Sequence, residues 1–194
     1  MRARPPPLIA AWLALMAIAL VATAAYAEVS VPPKLQAQLI AKIAAFDRNF
    51  AARAGGNALA LIVFKPGDAE SSQLAQQLAA ELRDGGDVGG VTKTVEVVPY
   101  GGAPALAAAC SARKAALVYL SAGLERESQA VAGALAGGDV LTVGATGAHA
   151  EAGAVVGFDL EGGKPKIVVN LASARAQNVS LKAELLRLTR IVAN

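Results

Sequence analysis

The chain has 194 residues, with 18 Lys and Arg against 15 Asp and Glu, a single His and a single Cys. One cysteine excludes an internal disulfide, and one His with one Cys excludes a multi-His or Cys/His metal centre within one chain. The near balance of charge gives no electrostatic basis for binding nucleic acid.

Arg2 and Arg4 form a positive start, Leu8 to Val21 is apolar, and Ala25-Tyr26-Ala27 fits the small-x-small cleavage rule. The expectation is a signal peptide over residues 1–27, cleaved after Ala27, that sends the protein to a bacterial periplasm. Residues 28–194 then form one α/β domain, carrying 16 basic residues (18 less Arg2 and Arg4) against 15 acidic ones, a formal +1. A retained membrane anchor is the alternative, since the apolar stretch approaches the lower limit for crossing a bilayer. No comparable run follows, so the mature chain is expected not to span a membrane.

Pro33 opens a helical segment. Leu35, Leu39, Ile43, Phe46 and Phe50 make one apolar stripe, and Gly55-Gly56 stops it. "ALALIVF", Ala58 to Phe64, is a continuous apolar run of the kind covered on both faces in a parallel sheet. Turn residues "KPGD" follow, and Asp68 and Glu70 put negative charge at a helix start. Leu74, Leu78 and Leu82 mark that helix's inner face. "VTKTVEVV", Val91 to Val98, alternates apolar and polar residues and reads as an edge strand.

Pro104 begins a helix that runs through Cys110, which sits one turn after Leu106. The thiol reads as a small buried apolar group, with a redox sensor or intermolecular bridge as the alternative. "AALVYL", Ala115 to Leu120, is a second buried strand. Glu125 to Ala136 reads as a helix with Val131 and Leu135 inward, and Asp139 to Val143 as a short strand. "AVVGFDL" and "PKIVVN" flank Gly162-Gly163, a hairpin signal. The repeated alternation of strand and helix predicts a single-domain α/β sandwich with a mainly parallel sheet, Rossmann-like in topology. A C-terminal β-hairpin and helix complete it.

Motifs for nucleotide or catalytic chemistry are missing. "FKPGDAESS" lacks the Gly-Lys-Ser/Thr ending of a P-loop, no G-x-G-x-x-G follows the first strand, and no G-x-S-x-G is present. His149, near Glu151, reads as a loop or surface histidine, with the edge of a site as the alternative. Glu125, Glu127 and Asp139 read as a solvated helix face and a strand start. No catalytic, cofactor-binding or metal residues are assigned.

"NLASARAQNVSLKAELLRLTRIV", Asn170 to Val192, has a definite local logic. Asn170 caps a short helix, Asn178 ends it in a left-handed conformation, and Ser180 caps a second helix. Leu181, Leu185, Leu188 and Val192 then share one helical face. With the V-L-T-V strand upstream, the stretch from Asp139 to Val192 resembles the C-terminal half of the YfiR-like family. The shared positions are Gly153, Phe158, Asn170, Leu171, Ala172, Ala174, Leu185 and Leu186, read as mainly structural. Some relatives carry Ser-Asp after that strand, where this chain has Gly144-Ala145.

The resemblance implies an exported α/β regulatory protein. It also implies a partner, an inner-membrane sensor diguanylate cyclase held inactive through contact with its periplasmic part, and a possible homodimer. The alternative is a periplasmic small-ligand-binding module or transport accessory, with the Gly144 to Gly153 loop as the place for a solute.

Overall fold

Burial along the first strand alternates between two cores. Ala58, Ala60 and Ile62 enter one apolar cluster while Leu61 and Val63 enter another, so both faces of β1 (Asn57–Phe64) are covered. That double cover is why the run carries no polar alternation. The structure is a computed structural model and describes residues 30–193. The expected signal segment, residues 1–27, lies outside the described residues.

Before β1 come α1 (Pro33–Phe46) and α2 (Phe50–Ala54). Then follow α3 (Ala69–Asp84), β2 (Thr92–Pro99), α4 (Ala103–Arg113), β3 (Ala115–Leu120), α5 (Ser128–Leu135) and β4 (Leu141–Gly144). The last third holds α6 (Gly147–Glu151), β5 (Val156–Glu161), β6 (Lys164–Asn170), α7 (Leu171–Ala176), α8 (Ala183–Leu186) and β7 (Arg190–Ala193).

The seven strands form one sheet in the order β2-β1-β3-β4-β5-β6-β7. Pairing is parallel from β2 through β5, antiparallel in the β5–β6 hairpin, and parallel again between β6 and β7. α1 and α3 supply Ile40, Ile43, Leu78 and Leu82 to one core; α4 and α5 supply Leu106, Cys110, Val131 and Leu135 to the other. The expected α/β sandwich with its mainly parallel sheet is what the chain forms. β2 is an outer strand, as its alternation predicted, and Gly162 and Gly163 take φ of 58° and 75° in the hairpin turn.

Three local expectations are corrected. The N-terminal stripe does not continue through one helix: α1 ends at Phe46, Asp47 is extended, and Phe50 begins a second helix. The inner face of α1 is set by Gln36, Ala37, Ile40, Ile43 and Ala44, leaving Leu35, Leu39 and Phe46 only partly buried. Residues 125–127 form a turn, so α5 starts at Ser128. At the C-terminus the second helix stops at Leu186; Ser180 does not cap it, Leu188 is 71% exposed, and Arg190–Ala193 is a strand beside β6. Hydrogen bonding to the open side of β6 gives this β-branched segment partners that an isolated helix end lacks.

Candidate functional site

The parallel strands β1, β3 and β4 end side by side, and the segments leaving them bound a cleft of about 520 Å³. In the order β2-β1-β3-β4-β5, the helices following β1 and β3 cover opposite faces, so a crevice opens past the carboxyl ends. Five carboxylates line it: Asp68, Glu70, Glu125, Glu151 and Asp159. The Gly144 to Gly153 segment, singled out from sequence as the place for a solute, contributes Thr146 to Ala148 and Glu151 to its wall.

A continuous hydrogen-bond network fixes this rim. Asp68 caps α3 by accepting from the Ser71 N–H at 3.0 Å, and Ser71 Oγ accepts from Lys65 N at 3.0 Å. Ser121, just after β3, donates its hydroxyl to the Ser71 carbonyl at 2.8 Å. The Ser121 carbonyl in turn stands 3.2 Å from His149 Nε2. Since a carbonyl can only accept, the proton of neutral His149 sits on Nε2, leaving Nδ1 as an acceptor. Thr146 Oγ1 and Thr146 N lie 2.9 and 3.3 Å from Nδ1. Lys65 Nζ crosses the rim to donate to the Gly123 carbonyl and stands 3.6 Å from Glu127.

His149 is therefore no surface histidine. It is fully buried in α6, and burial pulls its pKa below the ordinary histidine value, with the Glu125 carboxylate, 3.8 Å from Nδ1, opposing that shift. Glu151, its sequence neighbour, instead pairs with Arg190 at 3.0 Å, and Arg190 also holds Asp159 at 2.7 Å. Both ring nitrogens are occupied, so the imidazole positions loops. Glu125 and Glu127 sit on the turn before α5 rather than on a helix face. Among the described residues no three His, Cys, Asp or Glu side chains converge to hold a metal ion.

The family-pattern residues spread through the C-terminal half instead of gathering at one surface. Gly153 has φ 127° and its Cα faces α5 so closely that a Cβ would stand 2.8 Å from Ala132 Cβ. Phe158 is buried in β5 opposite Ile167. Asn170 caps α7 as expected, accepting from Ser173 N at 2.9 Å, and also donates to the Ala150 carbonyl at 3.0 Å, which ties α6 to β6. Leu171 is half-buried, Ala172 exposed and Ala174 buried; Leu185 is buried and Leu186 packs at the margin of the core.

Sequence reasoning missed a second polar centre at the opposite end of the sheet. Arg53, with a side chain 2% exposed, pairs with Asp47 and with Asp139, each at 2.7 Å, and donates to the Asn178 carbonyl. Asp139 is thus an ion-pair partner and not merely a solvated strand start. Asn178 has φ 55°, as its place at a helix end suggested. A neighbouring cavity of about 370 Å³ is walled largely by alanines, Leu135 and Val140, and its buried guanidinium is already committed to these partners. Cys110 lines it, and burial pushes the thiol up to about 11. The partners of Arg53 lie up to 125 residues away in sequence, so no local pattern announces them.

Comparisons with known proteins fit this architecture. A family model described as YfiR/HmsC-like matches residues 33–190. No curated protein matches the chain at a significant level. Among solved structures, a conserved domain protein from Vibrio cholerae superposes with a TM-score of 0.56 at 14% identity, over 84% of this chain and 60% of that one. A Streptococcus pneumonia structure described as an ABC domain in complex with L-Trp gives 0.56 at 12% identity, over 81% and 62%. The chain spans about three fifths of the length of these two structures, and at such identities the likeness is one of fold.

Proposed function

The chain belongs to the YfiR/HmsC-like family of periplasmic regulatory proteins, and from that membership we propose that it acts by contact, holding an inner-membrane diguanylate cyclase inactive through the cyclase's periplasmic part. Residues 1–27 serve as the export signal in this reading, and residues 28–194 as the regulatory domain. The energetic requirement is differential affinity for two receptor states: the regulator binds the inactive state more tightly, and whatever weakens that contact releases synthesis of cyclic-di-GMP in the cytoplasm. No nucleotide has to enter the periplasm and no bond has to be made or broken by this chain. Two features support a non-catalytic role. The only histidine is held at both nitrogens, and the only cysteine is buried with a raised pKa.

The family match over residues 33–190 carries the proposal. Its test is capture of the membrane partner by tagged protein, together with cyclic-di-GMP levels in a deletion strain. Recovery of a sensor cyclase and a rise on deletion are expected; no cyclase recovered and unchanged nucleotide would overturn it.

The cleft beyond β1, β3 and β4 favours a second reading, in which the domain takes up a periplasmic solute there. Thermal shift separates the two, because a bound solute raises the unfolding temperature with concentration whereas a purely protein-binding domain responds to no solute.

A further inference from the structure

The rim of the cleft is held by a ring that can change charge. His149 lies on α6 directly after β4, and its Nδ1 accepts from both the hydroxyl and the backbone N–H of Thr146. Its Nε2–H reaches the Ser121 carbonyl across the sheet end. The Nδ1 contacts close the first turn of α6 on itself; the Nε2–H contact joins that turn to the segment after β3, and through Ser121 Oγ to the start of α3. A Cβ at Gly144 would stand 2.0 Å from His149 Cβ, so the ring's root is pressed against the end of β4 and has little room to move as a whole.

We propose that His149 is an acid-operated latch: a proton taken from solvent onto Nδ1 removes the acceptor of the Thr146 N–H, and the first turn of α6 loosens within the Thr146–Ala152 segment while Nε2–H keeps its hold on Ser121. The new Nδ1–H and the Thr146 N–H are both donors and repel, the Thr146 hydroxyl must turn from donor to acceptor, and the Glu125 carboxylate 3.8 Å from Nδ1 becomes the charged partner of the protonated ring. The rim then has two arrangements of the same groups, one centred on Thr146 and one on Glu125.

The other charged groups around the latch are accounted for. Glu127, on the same turn as Glu125, favours the protonated ring but is drawn toward Lys65. Asp68, from the start of α3, is engaged in its helix cap. Glu151 on α6 and Asp159 on β5 are taken by Arg190 of β7. Glu125 is therefore the carboxylate placed to receive the proton-bearing nitrogen. The inference concerns the isolated domain and goes beyond the receptor reading; it stands or falls without the cyclase.

The direction with pH follows from linkage. Burial depresses the pKa of the latched ring, so the loosened and unfolded states bind protons first as pH falls below the ordinary histidine range of about 6.5. The latched state is favoured above that value and loses ground below it, by about tenfold per pH unit until the latched ring itself titrates.

Because His149 is the only histidine, its imidazole nitrogens give one resolved pair of NMR signals in the purified domain. The experiment follows them from about pH 7.5 to about pH 4.5, alongside hydrogen exchange of the Thr146–Ala152 amides corrected for intrinsic rate. The expected result is loss of amide protection in step with the titration, and loss of that acid response in H149Q, whose amide is neutral throughout. A ring that titrates while the segment keeps its protection, or an H149Q domain that loosens with acid as the wild type does, overturns the proposal. Should H149Q fail to fold, E125Q carries the test. Removing the waiting carboxylate must move the loosening midpoint to lower pH, and a midpoint that stays or rises overturns the latch.

Discussion

Gly144 and His149 share one space: a side-chain carbon on Gly144 would fall 2.0 Å from the Cβ of His149 and 2.3 Å from its Cγ. The glycine after the V-L-T-V strand, a departure from the Ser-Asp of some relatives, is the counterpart of a histidine buried five residues later. The first prediction follows directly. Gly144→Ala should destabilise the domain by about 1–3 kcal/mol, the range for overpacking a close-packed site. Urea denaturation of G144A alone and combined with H149A or H149G should show the coupling: alanine keeps the Cβ that clashes and leaves most of the G144A penalty, whereas H149G removes it and relieves more.

Asn170 works in two directions, which makes it more than a helix cap. Asn170→Ala should cost about 2 kcal/mol, combining loss of the cap with loss of a side-chain donor from the buried Ala150 carbonyl, which keeps the Gly153 N–H. Asn170→Asp keeps an acceptor for Ser173 but turns an oxygen toward Ala150, so it should recover only part of the loss. Chemical denaturation of the two variants ranks them; equal stability of N170D and wild type would show that the link to α6 has no weight.

The buried pair of Asp47 and Arg53 should dominate the stability of the N-terminal helices. Asp47 accepts from Asn49 N and Ser180 N as well as pairing with the guanidinium. Asp47→Ala therefore leaves Arg53 with only the half-exposed Asp139 and the Asn178 carbonyl and strands two backbone donors, at about 3 kcal/mol. Asp139, whose side chain is 52% exposed, should matter far less, under about 1 kcal/mol for Asp139→Asn. Equilibrium unfolding of D47A and D139N should show that separation; similar values for the two would contradict the burial argument.

Cys110 should resist modification. With the thiol buried and its pKa pushed up to about 11, thiolate is scarce at neutral and mildly alkaline pH. Ellman's reagent at about pH 8 should react slowly with the native domain and rapidly once urea has unfolded it. Fast stoichiometric labelling of native protein would restore a redox reading of this residue.

What could be read from the sequence divides along physical lines. β1 and β3 were plain because each is an unbroken apolar run buried on both faces, and Ala115 to Leu120 is buried at every position. β2 was plain because its one wet face leaves an alternation. α6 was not, since five residues are too few for a helical period to show. The burial of His149 was invisible for a related reason: the groups that satisfy its ring come from Ser121 and Thr146, and only the fold brings Ser121 near. The C-terminal strand was misread as helix because Leu181, Leu185, Leu188 and Val192 keep helical spacing, although the β6 edge claims Arg190 to Ala193 and leaves Leu188 in water. For the cleft, the rule that ligands gather beyond parallel strand ends pointed to a segment that does line it; its five carboxylates come from separate elements and could not be assembled from spacing.

The stitching of the first helices to the last segment bears on how the molecule is made. Arg48 N–H donates to Ser180, Lys182 N–H donates to Phe46, and Asp47 forms a β-bridge with Leu181. Joins across 133 positions of sequence, such as Ser180 to Asp47, give this corner of the fold a high contact order, and the entropy of closing so long a loop makes it a slow part of folding.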